Sequence, residues 1–168
     1  MSTVLAAEHF PKEVLLSSRL KLAYLNEAHH DGLLELARDP DVRKFVPWSD
    51  EDPSKVIQGA NSDFATKGVL YAIEVKGEFA GFFRVFPSPD ANFSDLVEVG
   101  VGLLVKFRGK EIIHRLAEFV ADLRHKLPNM RLGVCIHDDN QTSGKVALRL
   151  GFVSTDQFSF GDRVYEIS

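Results

Sequence analysis

Two stretches of this chain bring together residue types that can do chemistry. In "VKFRGKEIIHRL", Val105 to Leu116, an apolar strand passes through Arg108, Gly109 and Lys110 straight into a helix. The first turn of a helix leaves backbone N–H groups unpaired and carries partial positive charge, so it can receive phosphate oxygens. Arg108 and Lys110 add two full charges, and Gly109 is expected to let the chain turn tightly. Glu111 works against such a cradle. A carboxylate about 6 Å from a phosphate oxygen costs roughly 1–3 kcal/mol at an effective dielectric of about 20 to 40, a ten- to hundredfold loss of affinity. The same residues also read as an ordinary strand-turn-helix, with Glu111 offsetting the dipole and Ile113 on the buried stripe.

The second stretch is "LVEVGVGLLV", where Glu98 stands between Val97 and Val99 in an apolar strand. Burial disfavours a carboxylate's charged form and can make it a workable proton acceptor near neutral pH. The alternative is a carboxylate satisfied by a neighbouring strand or helix. Other candidates carry less. His29-His30-Asp31 and His137-Asp138-Asp139 lack the spacing that points two ligands at one metal ion, so no metal is expected. Cys135, the one cysteine, alternates within an apolar strand and reads as a buried structural thiol.

The elements that must position these residues follow from periodicity. "RLKLAYL" alternates like a strand, and Asn26 can cap a helix carrying Leu33, Leu34 and Ala37. Asp39-Pro40 opens a short helix. Asp52-Pro53 opens another, with Val56, Ile57, Ala60 and Phe64 on one face and Gly68 at its end. "VLYAIEV" and "EFAGFFRVF" flank Lys76-Gly77 as a hairpin, and "PSPDANFS" is a loop. The strand holding Glu98 is apolar throughout and therefore central. Ile113, Leu116, Ala117, Val120 and Leu127 repeat at helical spacing before Pro128. "RLGVCI" is a strand, a short helix from about Thr142 ends at Gly151, and the chain closes with a hairpin around Gly161-Asp162. The sum is an α/β chain: a mixed, mostly antiparallel, twisted sheet with helices on both faces.

Composition sets the limits. At 168 residues the chain is expected to fold as one domain over 1–168, with core enough to be stable. A formal net charge of -4 argues against nucleic acid as a partner. No apolar run approaches membrane-spanning length, and "MSTVLAAEHFPKE" lacks the basic start of a signal peptide. The expected setting is the cytoplasm, as a monomer or homodimer.

Four segments, "VEVGVGLLV", "FRGKEIIHRLAEFV", "HDDNQTSGKVALRLGF" and the closing strand pair, together resemble the GCN5-related N-acetyltransferase (GNAT) superfamily. The opening "SSRLKLAYLNEAHHDGLLELARDPDVRKFVPW" resembles its ribosomal-protein N-terminal acetyltransferase branch. The resemblance implies acetyl-CoA as cosubstrate and an amine acceptor, either a protein N-terminus or a small molecule. The family's cradle reads Arg or Gln, two variable residues, Gly, one variable residue, then Gly or Ala; this chain matches at Arg108 and departs at Glu111 and Ile113. The resemblance places the pyrophosphate against Arg108, Gly109, Lys110, Glu111, Ile112 and Ile113. It also implies backbone contacts from Leu103, Leu104 and Val105 to the pantetheine arm, beside a bulge suited by Gly100 and Gly102. Glu98 would deprotonate the amine, directly or through water. Asn140 would hold the pantetheine, and Ser143 would lie near the sulfur and assist the departing thiolate. Asn140 or Thr142 can equally cap the short helix. Trp48 is expected at the substrate end of the sheet. The competing reading is a GNAT-fold binding or regulatory module that has lost acyl-CoA binding, favoured by Glu111 and Ile113.

Overall fold

Alternation along one strand decides how the layers stack. Val97, Val99 and Leu103 join a large core cluster on one face, while Leu96 joins a smaller cluster on the other. A strand buried from both sides must be central, and it is. The computed structural model describes residues 4–45 and 51–167, with the backbone alone for Lys44, Phe45 and Lys110; Trp48 lies outside the described residues.

The strands are β1 (Glu13–Leu15), β2 (Leu20–Tyr24), β3 (Val69–Val75), β4 (Glu78–Pro87), β5 (Leu96–Leu103), β6 (Arg131–Ile136), β7 (Val153–Ser159) and β8 (Asp162–Ile167). They form one sheet in the order β1-β2-β3-β4-β5-β6-β8-β7. Every neighbouring pair is antiparallel except β5 with β6. The helices are α1 (His30–Ala37), α2 (Pro40–Phe45), α3 (Pro53–Gly59), α4 (Phe64–Lys67), α5 (Lys110–Lys126) and α6 (Gln141–Arg149). One face of the sheet packs on α5 through Ile113, Leu116, Val120 and Leu127, with Phe119 meeting Phe83 edge-on at 5.6 Å. The other face packs on α1 and α3 through Leu33 and Ile57 against Ala72.

Four local expectations change. The short β1 carries no apolar alternation, with Leu15 fully in solvent, and its pairing to β2 is a tertiary outcome. The single helix expected from Pro53 to Gly68 breaks at Asn61, which adopts a positive φ of 58°. Its carboxamide both donates to and accepts from the Leu70 backbone, at 3.0 and 2.8 Å, which fastens the break to the start of β3. The closing hairpin turns at Phe160-Gly161, with Ser159 opposite Asp162. Finally, Gly100 and Gly102 mark no bulge in the pairing of β5 with β4, which runs unbroken from Leu103 opposite Gly81 to Val97 opposite Pro87; the parting that the resemblance implies is from the next strand, β6, whose pairing with β5 ends at Glu98. Gly102 instead leaves room for the Phe82 ring, and Gly81 presses directly on the Gly102 carbonyl.

Candidate functional site

The parallel pairing of β5 with β6 covers only Leu96–Arg131, Val97–Leu132 and Glu98–Gly133. Beyond Glu98 the two strands part, and each runs into a helix N-terminus: β5 toward α5, β6 toward α6. A crevice at the carboxyl ends of parallel strands, flanked by two helix N-termini, is a ready ligand site.

The backbone facing this crevice can be identified. Leu104 N–H bonds the Ala80 carbonyl at 2.8 Å, and the Leu96 carbonyl accepts from Ser88, so the even-numbered residues of β5 turn to β4. Peptide groups alternate along a strand, so Val101 and Leu103 aim theirs into the crevice. The expectation for Leu103, Leu104 and Val105 is therefore corrected at Leu104. Leu104 spends its N–H on β4, and Val105 lies exposed in a 3-10 turn, Val105–Phe107. Leu103 keeps the expected direction, although its carbonyl accepts from Arg108 Nε at 3.2 Å. Val101 was not among the residues expected here, because the direction of its peptide follows from the register with β4.

At the start of α5, Gly109 caps the helix without a side-chain hydrogen bond. Its φ of 175° is extended backbone open to any residue, and a Cβ there would meet nothing within 4 Å. A tight turn is thus not the reason for glycine. A cleft of about 230 Å³ lies here, lined by Arg19, Lys106, Arg108, Gly109, Glu111 and Ile112, among others. Glu111 is exposed and forms an ion pair with Arg19, brought from the loop before β2. The carboxylate that spoils the cradle on paper is met by a cation from the other end of the sheet, which no local motif could reveal. Arg108 is turned aside: its guanidinium donates to Asp39 at 2.8 Å and lies 3.7 Å from Asp41. Lys106 pairs with Glu78. Ile112 and Ile113 are both buried in the core, so Ile113 does not face the cleft. The Lys110 side chain lies outside what is described.

At the start of α6, Asn140 Oδ1 accepts from Ser143 N–H at 3.2 Å, so the capping alternative is realised. Among the described residues its amide nitrogen makes no hydrogen bond, nor does the half-buried Ser143 hydroxyl.

Glu98 is buried at 8% exposure, on the face opposite α5. Cys135 on β6 lies near it. Burial pushes the Cys135 thiol well above the usual range, and the Glu98 carboxylate pushes it further. The thiol stays protonated and is no nucleophile. Arg84, diagonal to Glu98 across β4 and β5, stacks on Phe86 at 3.9 Å. The two histidine-aspartate runs serve structure. His29 Nε2 meets Glu74 at 2.8 Å while its Nδ1 accepts from Asn26 N–H. Asp138 is held below the usual carboxylate range by Arg163. Among the described residues no helix is long and apolar enough to cross a membrane.

Comparison with known proteins bears on this arrangement. Residues 19–153 match the family described as acetyltransferase (GNAT) domain. Among solved structures, the chain is similar to RimL, a ribosomal-protein α-N-acetyltransferase, in complex with coenzyme A (21% identity, TM-score 0.72, covering 92% of this chain and 96% of that one). It is similar to the microcin self-immunity acetyltransferase MccE in complex with acetyl-CoA and AMP (18% identity, TM-score 0.72, 96% and 98% covered). An acetyltransferase from Agrobacterium tumefaciens superposes comparably (21% identity, TM-score 0.73, 92% and 93% covered). No curated protein sequence matches the chain.

Proposed function

Because the chain belongs to the acetyltransferase (GNAT) family, we propose that it transfers an acetyl group from acetyl-CoA to a primary amine in the cytoplasm, by direct attack without an acyl-enzyme. The observation that carries this reading is the parting of β5 and β6 beyond Glu98, with two helix N-termini at its mouth. An apolar, unpaired strand edge suits a pantetheine arm, whose amides can pair with Val101 and Leu103 in place of a further strand. The α5 N-terminus suits the pyrophosphate, and Arg19 answers the charge of Glu111 beside it. Asn140 and Ser143 stand at the second helix start, where the amide nitrogen and the hydroxyl can meet the arm and the departing sulfur.

Glu98 has the place for the proton acceptor. An ammonium must lose a proton before its nitrogen can attack a thioester carbonyl, and Glu98 is the buried carboxylate at the point where the strands part. Cys135 supplies no covalent route, since its thiol is held protonated.

The acceptor is either a protein N-terminus or a small amine. RimL acts on a ribosomal protein, which supports the first. Incubating the protein with acetyl-CoA and a panel of peptides and small amines, with products read by mass spectrometry, tests the reading. A gain of one acetyl group on an acceptor, dependent on the protein, is the expected result. Acetylation of the protein itself with none passed to any amine would contradict direct transfer.

A further inference from the structure

The face of the sheet that carries Glu98 also holds a second cleft, of about 420 Å³, between α3, α4 and the strands β3 and β4. Among the described residues it is lined by the apolar Leu70 and Val56, by Lys55 and Lys67, and by Glu51. Arg84 reaches into it from β4. This arginine is unlike the other cations near the crevice. Arg19, Lys106 and Arg108 each have a carboxylate partner. Among the described residues no carboxylate comes within ion-pair distance of Arg84; the Phe86 ring under its guanidinium holds it in place instead. Burial works against its charge, and the nearby Glu98 carboxylate supports it in part.

A half-buried guanidinium with five donors and, among the described residues, no ion-pair partner is a costly feature to keep. It becomes favourable when a ligand brings the anion, because a planar fork suits a carboxylate or phosphate. We propose that Arg84 selects an acceptor that carries an anionic group close to its amine. Arg84 lies opposite Gly100, two residue pairs from Glu98 and on the same face of the sheet, so cleft and crevice are neighbours across β4 and β5. At a strand spacing of about 4.8 Å, the anion sits roughly 5–10 Å from the amine. That span fits an acidic side chain in the second position of a peptide, or a carboxylate at the far end of a short aminoalkyl chain. This rests on the acetyl-transfer reading above.

Two acceptor pairs test it, each differing only in charge: the peptide amides Ser-Glu-Ala and Ser-Gln-Ala, and 6-aminohexanoate with its carboxamide. The wild-type protein is expected to favour the acid in at least one pair by about tenfold in kcat/KM, the size of one charge-assisted contact. The pair that shows it tells peptide from small amine. Arg84→Gln should bring that ratio close to one, and Arg84→Lys should keep part of it. A wild-type ratio near one in both pairs, or a ratio unchanged in Arg84→Gln, overturns the proposal. Equilibrium binding of the four compounds to CoA-saturated protein separates the two claims. An Arg84-dependent preference for the acids without turnover would uphold the selectivity and refute acetyl transfer. Binding without such a preference would refute the selectivity, whatever the turnover.

Discussion

If α5 receives the phosphates as proposed, neutralising Arg19 should damage coenzyme A binding even though it lies almost a hundred residues from that helix. In the folded protein, Arg19 and Glu111 form an ion pair at the edge of the cleft beside Gly109, with side-chain exposures of 48% and 55%. Both groups are half in water, so an effective dielectric of about 40 to 80 is appropriate. At about 6 Å from a phosphate oxygen, one charge is then worth roughly 0.7–1.4 kcal/mol, a three- to tenfold effect on affinity. Paired, the two charges nearly cancel at the phosphate. Arg19→Gln should therefore weaken CoA binding three- to tenfold, Glu111→Gln should tighten it by the same factor, and the double variant should return to within about twofold of the start. Isothermal titration at two salt concentrations reads this directly, since the differences should shrink at the higher one. Stability should hardly move, because an exposed pair contributes about 0–1 kcal/mol. Trimming Ile113 to alanine should cost about 2–5 kcal/mol of stability without tightening binding, because that side chain fills the core rather than the cleft. Unchanged affinity in both single variants would show that the pair does not face the phosphates.

Glu98→Gln should lower turnover while leaving acetyl-CoA affinity nearly unchanged, since its work is on the amine; steady-state kinetics beside a binding titration would check this, and intact turnover would remove Glu98 from the mechanism. Gly109→Ala should raise stability by about 0.4–1 kcal/mol, because the extended backbone accepts alanine and the added methyl meets no protein atom. The same methyl projects toward the cleft, so CoA affinity should fall; a melting curve that drops would refute the backbone argument. Stability should decline at alkaline pH. Burial raises the Cys135 thiol and the Tyr71 hydroxyl in the folded state, so the unfolded chain loses these protons first. Their contribution is complete below the ordinary thiol value of 9.0 and is lost as pH rises above it. Urea melts at several alkaline pH values would show it, and Cys135→Ser should remove the earlier part of the decline.

Local patterns reached the elements that frame the crevice. Uninterrupted apolar residues marked β5 as central, the spacing of Ile113, Leu116 and Val120 marked α5, and Lys76-Gly77 marked its hairpin with two positive φ angles. Glu98 stood out because it interrupts an apolar strand, whereas Asn140 and Ser143 were reached through the resemblance to the family. What stayed hidden depends on partners distant in the chain. Arg19 reads as an ordinary residue at the head of a strand until the fold sets it against Glu111. Arg108 looks like a phosphate ligand until Asp39, the residue that opens α2, claims it. The direction of the Val101 peptide follows from strand register, which one sequence does not contain. Arg84 sits in an apolar hairpin strand, and only the cleft above it gives the charge a use.

The account turns on whether the crevice and its altered cradle hold acetyl-CoA, and a thermal-shift titration of the intact protein with acetyl-CoA asks this most directly. A ligand that binds only the folded state adds about 2.7 kcal/mol at a hundred times its dissociation constant. For a chain of this size that corresponds to a rise of roughly 5–10 °C in the melting temperature, growing with the logarithm of concentration. Dephosphorylated pantetheine alone should give a smaller shift, because it leaves the α5 N-terminus empty. A melting temperature that stays constant up to millimolar acetyl-CoA would contradict the account and leave a non-catalytic binding module as the reading of the fold.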